Sequence, residues 1–149
     1  MANPEETDAS SAKPTDQRTA QPSAIETVGV VGAGQMGGGI AQVAAACGLK
    51  VILVDVALEL AQKGKARIAG ALGKQVEKGK MAAEARDQLL ANIQCAASPE
   101  DFRACDFVIE AAVESLDLKL AVLRKCDAAL APGKWLASNT SSISLTRLA

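Results

Sequence analysis

The chain has 149 residues, with 16 basic and 17 acidic side chains and a net charge of −1. Near neutrality argues against a nucleic-acid binder, which carries a basic excess, and 2% aromatic residues with no Tyr leave no stacking platform for single strands. The chain contains no histidine, which excludes an imidazole base, a His-ligated metal and a Ser-His-Asp triad built from these residues.

Residues 1–24 are rich in Ala, Ser, Thr, Pro and Glu and have no large aliphatic side chain after Met1. Such a stretch buries too little apolar surface to offset its ordering entropy, so a disordered tail is expected. It lacks the basic start and apolar stretch of a secretory signal. Its acids, Glu5, Glu6, Asp8 and Asp16, count against a mitochondrial presequence. No run of about 18 uncharged apolar residues is present, so no transmembrane helix is expected. Cys47, Cys95, Cys105 and Cys126 form no CxxC pair. They are expected to be buried free thiols rather than metal ligands, in a reducing compartment. No metal site and a cytoplasmic location are therefore expected.

From Ile25 the pattern changes. Val28, Val30 and Val31 predict a short buried strand ending at Gly32, and the Ala-rich stretch 40–47 predicts a helix with Gly48 behind it. Residues 51–55, Val-Ile-Leu-Val-Asp, predict a second strand, apolar without alternation, as a sheet covered on both faces requires. A long helix over 57–78 has Leu58, Ala61, Ile68, Leu72 and Val76 near a helical period. Gly79 breaks it ahead of a second helix over 82–91. Strands are expected at 93–95, 107–110 and 135–138, a short helix at 99–104 and a longer one at 116–130. Strands alternating with helices call for a parallel sheet with right-handed crossovers, a doubly wound α/β domain over 25–149.

Gly32, Ala33, Gly34, Gln35, Met36 and Gly37 form a G-x-G-x-x-G between the first strand and the first helix, with Asp55 18 residues past Gly37. The pattern alone is common, but this context is that of a dinucleotide site. The first glycine permits the tight turn. The second lets the backbone approach a pyrophosphate, and the third lets helix pack on strand. The helix N-terminus offers free N–H groups to phosphate. Asp55 can accept hydrogen bonds from ribose hydroxyls and repels a 2′-phosphate. Val56, Ala57 and Leu58 supply no cation to bind one, which favours NAD over NADP. Gly38 and Gly39 extend the glycines into the helix, either for the close approach of a ligand or strand or as a weak helix start. Glu110 and Glu114 bracket residues 111–113 at the carboxyl end of the fourth strand, where an open α/β sheet binds ligand, and Lys119 lies five residues beyond Glu114; on pattern alone solvated charges are the default reading. Asn139, Thr140, Ser141 and Ser142 follow the fifth strand. They either cap a following helix or face a ligand at the carboxyl edge of the sheet.

Residues 28–55, VGVVGAGQMGGGIAQVAAACGLKVILVD, resemble the start of the 3-hydroxyacyl-CoA dehydrogenase family. DFVIEAAVESLDLKLAVL (106–123) and LASNTSSISL (136–145) are similar to it at the corresponding places. The VIEAAVE and SNTSS segments are the specific ones, and the bacterial 3-hydroxybutyryl-CoA branch is the nearest. Other β-hydroxyacid dehydrogenases share only the first motif. The same module is expected in multifunctional fatty-acid oxidation proteins, for which 149 residues are too few.

The resemblance implies a Rossmann-type doubly wound sheet with a helical hairpin inserted after the second strand. It implies NAD held by Gly32–Gly37 and Asp55, with Glu114 and Lys119 near the nicotinamide ribose. Ser141 would contact the substrate oxygen, with Asn139 beside it. The hairpin at 57–91 would help hold CoA, with Lys78 near a CoA-contacting lysine and Ala71 where the family has a serine. The family oxidises L-3-hydroxyacyl-CoA to 3-ketoacyl-CoA, or the reverse, with a histidine base about twenty residues past the SNTSS motif. It dimerises through a helical C-terminal domain. A chain ending at Ala149 is expected to lack that base and domain, to turn over little, and to expose an apolar surface. A free-standing NAD-binding module, or an inactive remnant acting with a partner chain, is the alternative reading.

Overall fold

The computed structural model describes residues 24–112, 115–141, 143, 144 and 146. The expected disordered tail at 1–24 lies outside them, apart from residue 24, as do the side chains of Glu114 and Ser142.

Five strands build one sheet: β1 (Thr27–Val31), β2 (Lys50–Val54), β3 (Ile93–Ala96), β4 (Phe107–Glu110) and β5 (Trp135–Ser138). Their order is β3-β2-β1-β4-β5, and every pairing among the described residues is parallel. The helices are α1 (Gln35–Ala46), α2 (Leu58–Glu77), α3 (Ala83–Ala91) and α4 (Leu116–Ala129), with a 3₁₀ turn at Pro99–Ala104. The chain order reverses between β1 and β4, and the carboxyl ends of those strands flank the crevice where an open α/β sheet takes its ligand.

β1 and β2 are apolar without strict alternation because both faces of the sheet are covered there. Val28, Val30, Val51, Leu53 and Ile93 pack with Ala41, Ile68, Leu72 and Leu89 on the side of α1, α2 and α3. Val31, Val54, Phe102, Cys105, Val108 and Cys126 form the core on the side of the 3₁₀ turn and α4. Phe102 is fully buried and lies against Gly29, where any Cβ would come within 2.6 Å of its ring. The 3₁₀ turn starts as its sequence directs: Pro99 is preceded by Ser98, whose hydroxyl accepts the Glu100 N–H at 3.3 Å.

Two expectations are corrected. The first helix begins at Gln35, ahead of the Ala-rich stretch from Ile40, so Gly37 is helical along with Gly38 and Gly39. An added Cβ at Gly38 or Gly39 would meet nothing within 4 Å, so no strand crowds them. The thiols are not all buried: Cys105 and Cys126 are, Cys95 is half-buried and Cys47 is exposed. Burial pushes the Cys105 and Cys126 thiols up to about 12.

Apolar side chains are exposed at two places on the described surface. An apolar groove beside α1 is lined by Met36, Val43, Phe107 and Ile109, and Trp135 on β5 is 68% exposed. Among the described residues no helix is long and apolar enough to cross a membrane, and no group of three or more His, Cys, Asp or Glu could hold a metal.

Candidate cofactor site

The glycine-rich turn runs from the end of β1 into α1. Gly32 has φ 98°, a left-handed conformation that disfavours a side chain, and an added Cβ there would meet the Ala111 carbonyl oxygen at 2.6 Å. The turn of β1 is therefore pressed against the segment leaving β4. At Gly37 an added Cβ would lie 1.6 Å from the Gly32 carbonyl oxygen, so helix and turn approach as only glycine allows. Gly34 is different: it is exposed, and an added Cβ would meet no protein atom within 4 Å. The open side of Gly34 is where a ligand can approach the backbone.

Gly34 is also the N-cap of α1, with no side chain capping it and no acid in the first turn. The leading N–H groups of a helix have no intrahelical partner. A helix N-terminus of this kind suits an anion, assisted by the helix dipole. Gln35 and Met36 are exposed in that turn.

Asp55 directly follows β2 and is half-buried. One carboxylate oxygen accepts the Ala33 N–H at 2.7 Å, and the other accepts the Val56 N–H at 2.7 Å. The expected acid and the expected turn are thus brought into contact, and both carboxylate oxygens keep lone pairs for further donors. Beside Asp55 lies a cleft of about 580 Å³ walled by Val31, Val54 and Ala97, which Arg103 and Lys125 also line. Those two cations reach it from the 3₁₀ turn and from α4. The local sequence after Asp55 gave no sign of them.

Helix α2 completes the turn from the other side. At Gly64 an added Cβ would lie 2.7 Å from both the Ala33 Cβ and its carbonyl oxygen, and the Arg67 guanidinium donates to that carbonyl at 2.5 Å. Ala33 is therefore clamped between Asp55 and Arg67. Sequence reasoning missed both α2 residues. The only available signal was a glycine inside a helix, which is costly unless packing requires it. Beyond Arg67, α2 and the turn after it line a basic cleft of about 470 Å³ with Ala71, Lys74, Lys78 and Lys80.

At the ends of β4 and β5 the expectation of solvated charges is overturned. Glu110 and Lys119 have no exposed side-chain area and form an ion pair at 2.7 Å. Ser138 donates its hydroxyl to Glu110 at 2.7 Å. Lys119 is thus drawn inward onto Glu110. Asn139 and Ser141 are exposed past the end of β5. The Asn139 N–H is bonded to the Glu110 carbonyl at 2.7 Å, and the Thr140 hydroxyl accepts the Ile143 N–H at 3.3 Å, a local turn of the capping kind. Glu114 lies outside the described residues.

A parallel sheet with its glycine-rich turn, acid and free helix N-terminus at the switch point defines a dinucleotide-binding domain. The family model described as 3-hydroxyacyl-CoA dehydrogenase, NAD binding domain, matches residues 27–149. The chain is 46% identical over 125 residues to a 3-hydroxybutyryl-CoA dehydrogenase of Bradyrhizobium diazoefficiens, covering 84% of this chain and 43% of that protein. It is 42% identical to the fatty acid oxidation complex subunit alpha of Psychrobacter arcticus, covering 84% of this chain and 17% of that protein. The crystal structure of an (S)-3-hydroxybutyryl-CoA dehydrogenase from Ralstonia eutropha superposes with a TM-score of 0.81 at 45% identity, over 84% of this chain and 44% of that one. The chain belongs to the 3-hydroxyacyl-CoA dehydrogenase family, as its NAD-binding domain. It spans less than half the length of these relatives.

Proposed function

We propose that residues 25–149, following a separate segment at 1–24, are the cofactor half of an enzyme that interconverts L-3-hydroxyacyl-CoA and 3-ketoacyl-CoA. The observation that carries this reading is the Ala33–Asp55 contact, which joins the glycine-rich turn to the acid at the tip of β2. When bound, NAD supplies the hydride acceptor or donor. The backbone from Gly32 to Gly37 and the free N–H groups of α1 hold its pyrophosphate. Asp55 accepts the adenosine ribose hydroxyls, and the cleft walled by Val31, Val54 and Ala97 takes the adenine. Asp55 disfavours a 2′-phosphate even with Arg103 and Lys125 in that cleft.

Glu114 and Lys119 serve the nicotinamide ribose side, and Lys119 does so from its pair with Glu110. Asn139 and Ser141, exposed at the same sheet edge, hold the substrate oxygen. The acyl-CoA substrate places its phosphates in the basic cleft of Arg67, Lys74, Lys78 and Lys80. That cleft supports a CoA thioester although Ala71 offers it no hydroxyl. The chain contains no histidine, so its residues bind and orient while no imidazole takes the proton from the 3-hydroxyl. A general base contributes roughly 10²- to 10⁴-fold of rate, and these 149 residues supply no imidazole for it.

The test is a calorimetric titration of the purified chain with NADH and with NADPH, beside an assay with acetoacetyl-CoA. NADH binding at least about tenfold tighter than NADPH, with no measurable turnover, is the expected result. Failure to bind either nucleotide would sink the cofactor assignment. Turnover at an ordinary enzymic rate would overturn the account of the proton acceptor.

A further inference from the structure

Five hydrogen bonds converge on one residue at the ligand end of the sheet. One carboxylate oxygen of Glu110 accepts the Ala112 N–H at 2.7 Å and the Lys119 ammonium at 2.9 Å. The other accepts the same ammonium at 2.7 Å and the Ser138 hydroxyl at 2.7 Å. Its main-chain carbonyl accepts the Asn139 N–H at 2.7 Å. Glu110 and Lys119 are fully buried. A buried carboxylate is costly unless its lone pairs are met, and a satisfied network fixes the geometry of every donor it gathers.

The donors come from separate pieces of chain. Ala112 lies in the segment between β4 and α4, Lys119 in the first turns of α4, and Ser138 and Asn139 at the exit from β5. The first segment passes against the glycine-rich turn, since the Ala111 carbonyl oxygen is what a Cβ on Gly32 would strike. The segment leaving β5 carries Asn139 and Ser141. One residue therefore ties both nicotinamide-side segments to each other and to the strand next to β1, its side chain holding Ala112, Lys119 and Ser138 and its main-chain carbonyl holding Asn139.

We infer that Glu110 is a positioning residue for the nicotinamide half of the cofactor site. It is sealed from any ligand and acts through the backbone it holds. The inference rests on the cofactor reading proposed above. It makes a specific demand: weakening the network costs affinity for the nicotinamide end of the dinucleotide and spares the adenosine end, which is held by Gly34 and Asp55 from β1, α1 and β2.

Ser138→Ala removes one donor and leaves the ion pair intact. Glu110→Gln with Lys119→Met removes both charges together, because removing one alone would strand the other in the core. Titration with NADH and with ADP, which lacks everything beyond the adenosine and phosphates, separates the two ends. Ser138→Ala is expected to weaken NADH about tenfold and to leave ADP within about twofold. Ser138→Thr, which restores a hydroxyl, is expected to recover NADH binding, and the paired variant is expected to repeat the pattern of Ser138→Ala. Equal loss of NADH and ADP, no loss of either, or failure of Ser138→Thr to recover NADH would overturn the positioning role. If the unaltered chain binds neither ligand, the cofactor reading itself falls, and the inference with it.

Discussion

A single methyl group distinguishes the glycines of the turn by what each one faces. At Gly37 it would overlap the Gly32 carbonyl oxygen, a backbone atom that cannot swing aside. Gly37→Ala is therefore expected to cost about 3 kcal/mol or more, read as a lowered urea midpoint. At Gly34 the same methyl would meet no protein atom within 4 Å, and the backbone there is ordinary, with φ −69°. Gly34→Ala should fold with stability within about 0.5 kcal/mol of the parent, yet bind NADH at least about tenfold more weakly, because the methyl occupies the side from which a pyrophosphate approaches. A Gly34→Ala chain with unchanged NADH affinity would remove the pyrophosphate from that position. Gly64 behaves like Gly37 although it lies far along the chain: Gly64→Ala should push α2 off Ala33, lowering both the unfolding midpoint and NADH affinity.

Among the elements, β4 is only four residues long, yet it is an interior strand and is secured beyond both its ends. Just before it, Asp106 accepts the Glu26 and Thr27 N–H groups at 3.0 Å each and pairs with Lys134 at 2.6 Å. The Lys134 hydrogen bond, followed by those two amides, holds the Asp106 carboxyl at about 2, below its ordinary value of 3.8. Because the folded state favours the ionised form, this stabilisation is fully present above about pH 4 and fades as pH falls toward 2. Asp106→Asn should lower the unfolding midpoint at pH 7, and its deficit against the parent should close between about pH 4 and pH 2. A deficit that does not depend on pH would assign the effect to packing.

Over the whole molecule, the thiols report on the fold. A thiol reagent should modify Cys47 rapidly, while Cys105 and Cys126, buried and held up at about 12, should react only on unfolding. Fast labelling of either would mean that the core beneath α4 opens readily. The strands and helices were legible in the sequence because each carries its own period. The turn and Asp55 were legible because motif and strand end sit close together in the chain. What escaped was non-local. Gly64 and Arg67 meet Ala33 across about thirty residues. Arg103 and Lys125 reach the Asp55 cleft from the 3₁₀ turn and α4, more than forty residues along the chain. Glu110 and Lys119 read as solvated because a charge shows its burial only through the partners that fold around it. Charge pattern along a single chain carries no information about which carboxylate will be sealed beneath a loop.

The exposure of Trp135 has an optical consequence. Trp135 is the only tryptophan, there is no tyrosine, and its ring stands in solvent beside Phe107, its register partner on β4. Its emission therefore belongs to one known place on the sheet and starts at the red end of the indole range. Any chain that settles over this face will dry the ring and shift that emission to the blue, so association here can be followed without a label, as a change of colour.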